Sequence, residues 1–127
     1  MKLNTHLEID NSLSGKVVEL KENYAKIELK TTDIMRADTK GLVHGGFTFS
    51  AADFAAMSAI NEPNVVLTAS ESKFLAPVKV GDIVVFEATV INKDGKKSKV
   101  EVIGRVDSKK VFKGLFKTYS LDKHILD

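Results

Sequence analysis

The spacing of hydrophobic positions changes twice along the chain. From Gly15 to Lys30 they recur at every second residue. Val18 and Leu20 alternate with charged neighbours, Glu22-Asn23 supplies polar turn residues, and Ala25, Ile27 and Leu29 alternate with Lys26, Glu28 and Lys30. Such alternation on either side of a polar turn predicts a hairpin with one wet face. Thr31 to Lys40 loses the period and is polar, which reads as a loop lying over the entrance to the next element; long loops in small domains are often functional. Between Gly41 and Asn61 the polar positions nearly vanish. Ala51, Ala52, Ala55, Ala56 and Ala59 favour helix and permit close packing on several sides, and a helix apolar nearly all round is a buried one. It should end near Asn61-Glu62-Pro63, where proline restricts the residue before it and cannot continue the hydrogen-bond ladder.

The period of two then returns. Asn64 to Ala76 is rich in β-branched residues and reads as a strand, followed by a connection from Pro77 to Asp82. Ile83 to Asn92 places Val84, Phe86, Ala88 and Val90 on one side and Ile83, Val85, Glu87, Thr89 and Ile91 on the other. Asp94-Gly95 is a hairpin signal. Val100, Val102 and Val106 alternate with Lys99, Glu101 and Arg105, and Lys110 to Leu121 forms a last strand. Met1 to Leu13 is weakly patterned, with Leu3, Leu7 and Ile9 as anchors, and its structure stays open. Two strands, one helix and four strands joined by short connections suit antiparallel pairing. The helix, at about 17 residues and 25 Å, matches the width of five or six strands. The expected fold is therefore α+β, a single domain over residues 1–127 in which an antiparallel five- to six-stranded sheet wraps one long central helix. Apolar residues on both faces of the Ile83 strand call for a partner subunit.

Composition narrows the chemistry. A chain of 127 residues can bury a core without staples. It has no cysteine, which excludes disulfides and thiolate chemistry. No run of about 18 apolar residues and no signal-type segment is present, so a cytoplasmic protein without a membrane partner is expected. The net charge of +2 is too small to argue for nucleic acid. His6, His44 and His124 show no metal-ligand spacing, so no metal is expected. The lysines from Lys93 to Lys117 fit a solvated sheet face.

What remains is the helix. Asp53 is the only charged residue between His44 and Glu62, and a carboxylate inside a buried helix is either paired or at work. Gly45 and Gly46 stand where the free N–H groups of a helix start would point outward.

These residues carry a resemblance. His44-Gly45-Gly46, followed by Phe49, Ser50, Ala52 and Asp53, resembles the hotdog-fold acyl-CoA thioesterases, particularly the phenylacetyl-CoA thioesterase-like group, and nine positions separate His44 from Asp53 as in that group. The resemblance implies a coenzyme A thioester as substrate or ligand, no further cofactor, and a homodimer or a dimer of dimers (homotetramer) with the site shared between subunits. Gly45 and Gly46 would donate N–H groups to the thioester oxygen. Asp53 would serve from the other subunit as general base or as nucleophile. His44 would orient substrate. Asp38 stands where the family often carries Asn that helps hold substrate or water. On the strand after the helix some members place a hydroxyl that positions water; Leu67 occupies that place here, with Thr68 adjacent. Coenzyme A phosphates would need cations, for which Arg105 and the lysines from Lys93 to Lys113 are candidates. Val111-Phe112-Lys113-Gly114-Leu115-Phe116-Lys117-Thr118-Tyr119 also resembles the last strand of the acyl-CoA-sensing domain in regulators of fatty-acid synthesis. The alternative function is thus a non-catalytic acyl-CoA-binding or sensing protein.

Overall fold

The computed structural model describes all 127 residues, Met1 to Asp127. A short helix α1 (Asn11–Ser14) precedes the hairpin β1 (Lys16–Lys21) and β2 (Tyr24–Lys30). A 3-10 turn (Asp33–Met35) leads to the long helix α2 (Gly45–Ile60). Four strands follow: β3 (Val65–Phe74), β4 (Ile83–Asp94), β5 (Lys97–Val106) and β6 (Lys109–Ser120). They form one antiparallel sheet in the order β1-β2-β4-β5-β6-β3. This is the antiparallel sheet around one long helix that the periodicity implied, and the single hotdog fold that the resemblance implied.

Helix α2 lies mainly across β2, β4 and β5. Its alanines let it approach the sheet closely. Ala51, Ala52, Ala55, Ala56 and Ala59 are all buried, against Ile27, Leu29, Val84, Phe86, Val100 and Val102. Two sheet glycines make room for aromatic rings. A Cβ on Gly104 would stand 2.8 Å from a Phe86 ring carbon, and one on Gly114 would stand 2.7 Å from a Phe116 ring carbon. The rings therefore lie directly on the backbone of β5 and β6, where a methyl group would force them off.

One detail differs from the expectations, and two that were expected or left open take definite form. In β1 the register shifts between Val17 and Glu19. The shift turns Val18 out to solvent and leaves Val17 and Leu20 as the residues packed on the core. The helix ends at Asn61, which takes the left-handed conformation and returns its N–H to Met57 O at 2.8 Å, ahead of the proline. The open stretch at the N-terminus is an arm that runs back along α2. Asn61 Nδ2 donates to Lys2 O at 2.8 Å, and Asn61 Oδ1 accepts from Asn4 N at 2.6 Å. Next the His6 ring lies 6.0 Å from that of Phe54, and the Ser14 hydroxyl meets the Ser50 hydroxyl at 2.7 Å. Sheet on one side and arm on another explain why this helix has almost no polar face. No helix is long and apolar enough to cross a membrane.

Candidate functional site

The loop before α2 folds over the helix entrance. Val43 N donates to Val78 O at 2.8 Å and His44 N to Met35 O at 2.9 Å, so the residue that opens the helix is held from both sides. His44 is the N-cap in extended conformation, but its side chain caps nothing. Its ring instead lies over Gly46, where a Cβ would come within 2.9 Å of Nε2, and meets Phe47 edge-on at 6.1 Å. The first N–H groups of a helix have no acceptor within it, and those of Gly45 and Gly46 find none elsewhere in the chain. Beside them is a recess of about 280 Å³, lined by Leu42, Gly45, Thr48, Phe74, Pro77 and Val111 among others. A carbonyl placed there would meet two free donors and the positive end of the helix dipole. The exposed Phe74 and Leu42 give the recess an apolar rim.

Asp53 is seven residues beyond Gly46, about two turns and 10 Å along the axis. At about 100° per residue it shares a face with Gly46, Phe49 and Ile60, a face that lies between the sheet side and the arm side. From this face the Phe49 ring touches Phe116 at 5.6 Å, and the contacts continue through Phe112 at 6.2 Å to Phe74 at 5.4 Å. A line of aromatic rings thus connects the flank of Asp53 to the helix entrance. Asp53 Oδ1 is buried and has no hydrogen-bond partner. Burial alone raises the carboxyl from its ordinary value near 3.8 to about 6, with no charged neighbour contributing.

The remaining expected residues are distributed differently. The Asp38 carboxylate is used within its own loop, where Oδ1 accepts from Lys40 N at 2.9 Å and Leu42 N at 3.1 Å. Arg36 does not neutralise it, being paired with Asp33 at 2.6 Å. Thr68 is not beside Asp53. A register shift between Leu67 and Ala69 throws Thr68 out to solvent, with its hydroxyl on Lys117 O at 3.0 Å, while Leu67 packs on the core. Arg105 is at the same end of the sheet as the helix entrance, but on the outer face. There it pairs with Glu87 at 3.3 Å, and Glu87 also accepts from the Tyr24 hydroxyl at 2.6 Å. Lys93 and Lys96 cluster with Ile60 at the far end of the helix, and Lys97 and Lys99 line an outer-face groove of about 530 Å³ with Thr68 and Lys117. That groove is larger than the recess at the helix start and is remote from it. Of the late lysines, Lys109 is near the entrance, in a hollow of about 420 Å³ that also includes Lys79. No three His, Asp or Glu side chains converge to hold a metal ion.

Sequence reasoning missed Ser70 and Ser72. The same shift that expels Thr68 resets the alternation of β3, so Ser70 pairs opposite Phe116 and Ser72 opposite Gly114, on the helix side of the sheet. Their hydroxyls meet at 2.7 Å. The signal is a bulge, which no alternation count reveals.

A sequence profile of the thioesterase superfamily matches residues 40–112, which includes the helix start and Asp53. Among curated proteins, the chain is 54% identical over 121 residues to a methylthioribose-1-phosphate isomerase from Aquifex aeolicus, covering 95% of this chain and 26% of that protein. It is 33% identical over 114 residues to the transcription factor FapR of Caldanaerobacter subterraneus, covering 88% of this chain and 56% of that one. The chain thus spans between a quarter and just over half of these relatives. Protein PH1136 from Pyrococcus horikoshii superposes with a TM-score of 0.99 at 50% identity, over 100% of this chain and 98% of that one. The PaaI protein of the E. coli phenylacetic acid degradation operon shares the fold, with a TM-score of 0.78 at 24% identity over 90% and 84% of the two chains.

Proposed function

Because the chain belongs to the thioesterase superfamily, we propose that it hydrolyses an acyl-CoA thioester at a site completed by a second copy of itself. The observation that carries this reading is Asp53, a half-buried carboxylate whose Oδ1 is buried and unpaired on a helix with no other charged residue. Left without a role, such a group is a cost. It is too deep in its own helix to reach a carbonyl held at Gly45 and Gly46. A second copy brought against this face and against the free edge of β3 would supply its Asp53 to the first copy's helix start.

In this reaction the Gly45 and Gly46 N–H groups polarise the thioester oxygen. Asp53 of the other copy takes a proton from water as the water oxygen attacks the carbonyl carbon. The oxyanion collapses, the C–S bond breaks, and the coenzyme A thiolate leaves and takes up a proton. A carboxylate near 6 is ionised at neutral pH yet more basic than an exposed one. The apolar recess and the aromatic line favour an apolar acyl group. The isomerase named for the Aquifex relative rests on a protein of which this chain matches a quarter, so that activity is not carried over.

A second reading is acyl-CoA sensing without hydrolysis, favoured by the likeness to FapR over most of this chain. One experiment separates the two: a panel of acyl-CoA esters assayed for thiol release, alongside calorimetric binding of a non-hydrolysable analogue and sedimentation at micromolar concentration. Hydrolysis by a dimer or tetramer supports the enzyme; binding without turnover supports the sensor. A folded monomer that turns over substrate would refute the shared site.

A further inference from the structure

Phe74 closes β3 at the edge of the sheet, in register opposite Phe112 of β6. It is two residues beyond Ser72, so it shares the helix side of the sheet with Ser70 and Ser72. The ring turns inward. It meets Phe112 edge-on at 5.4 Å, and a Cβ on Gly45 would touch its Cε1 at 3.4 Å, which puts the ring within van der Waals reach of the helix start. Yet Phe74 is 56% exposed, whereas Phe112 and Phe116, the next rings of the aromatic line, are fully buried. The backbone beside it is fixed, since Leu75 N donates to Val111 O at 2.8 Å. A fixed stem thus holds a ring that is covered on one side only, and the ring lines the recess with Leu42, Pro77 and Val111.

The strand behind the ring gives it a role. Helix α2 rests mainly on β2, β4 and β5, which leaves much of the inner face of β3 open, with Ser70 exposed and Ser72 half-buried. From the flank of Asp53 toward the helix entrance, that face presents Ser70 opposite Phe116, Ser72 opposite Gly114 and then Phe74 opposite Phe112. Two small side chains leave a strip of open surface, and a large one ends it where the recess begins. We propose that Phe74 is a specificity-determining residue: its ring is the wall that confines the acyl group to the recess and so limits the length of chain the site accepts. The inference rests on the acyl-CoA reading of the site and names the part of the substrate on which that site discriminates.

The test uses ketone analogues of butanoyl-, octanoyl- and dodecanoyl-CoA, in which a methylene group inserted between carbonyl and sulfur prevents hydrolysis. Their binding to the wild type, Phe74→Ala and Phe74→Trp is measured by calorimetry. The ring is more than half exposed and the Leu75 bond to Val111 stays in place, so both variants should fold. In the wild type, affinity should level off within the series. In Phe74→Ala it should go on rising, by about fourfold for each methylene newly buried, so that the ratio of dodecanoyl to butanoyl affinity increases at least about tenfold. Phe74→Trp should lower that ratio. With the matching esters, kcat/KM for thiol release should follow the same order. An equal change at every chain length, or none, would overturn the proposal and make Phe74 a packing or assembly contact; the enzyme reading would stand as long as thiol release persists. Failure of the wild type to bind any of the analogues would overturn the acyl-CoA reading and this inference with it.

Discussion

Glu87 and Asp53 are both carboxylates on regular secondary structure, and their surroundings are opposite. On the outer face of the sheet, Glu87 is held by the Tyr24 hydroxyl at 2.6 Å and by Arg105 at 3.3 Å, in partly exposed positions. Burial, and then Glu87 itself, hold the Tyr24 phenol above its usual range. On the helix, Asp53 has no donor at all and is raised to about 6 by burial. The first arrangement is a closed network and contributes little more than a solvated pair. The second is one that folding alone would remove, because an apolar residue of similar size would cost less. The difference teaches where to look for function: at the polar group the chain leaves unsatisfied.

The sharpest way to break the comparison is Asp53→Asn, which keeps shape while removing charge and basicity. Hydrolysis should fall by at least about a hundredfold, the scale of a lost general base, while an acyl-CoA analogue still binds. Steady-state thiol release and calorimetry read both, and a wild-type rate in this variant would reduce Asp53 to a structural role.

Next in size is the pH dependence. Because Asp53 must be ionised to act, kcat/KM should climb about tenfold per pH unit below about 6 and level off above it. A rate profile spanning about two pH units on either side of that limb checks this; a limb near the ordinary carboxylate value would contradict the burial argument.

The same group predicts a stability effect. The folded chain binds the Asp53 proton more tightly than the unfolded chain. The stabilisation from protonation is therefore full below about 4 and lost as pH rises to about 6. At neutral pH the buried charge costs up to about 3 kcal/mol. Asp53→Asn should accordingly be more stable than wild type at pH 7, by about 1–3 kcal/mol, and equal to it below pH 4. Urea midpoints at the two pH values test the sign.

The smallest effect belongs to the outer face. Arg105→Ala removes one partly exposed ion pair and should cost less than about 1 kcal/mol, with KM for an acyl-CoA unchanged. A marked rise in KM would return Arg105 to the binding site and erase the contrast between the two faces.

Much of this was legible in the chain itself. The period of two around Ala25–Leu29 and Val84–Val90, the alanine run and the Asp94-Gly95 turn determined the strands, the helix and their order, because side-chain burial follows from period. His44, Gly45, Gly46 and Asp53 marked the candidate site because a charge inside an apolar helix and paired glycines at its start are visible without coordinates. Only the tertiary structure decided the rest. Thr68 and the Ser70 and Ser72 pair exchange faces through one irregular residue in β3, and a single-residue shift carries no compositional signal. Arg105 and the lysines are placed by sheet register, which sets face and end at once. The N-terminal arm is held by the Asn61 side chain bonding to backbone groups of Lys2 and Asn4. Backbone groups are the same in every residue, so such long-range contacts leave no pattern in the segment they hold.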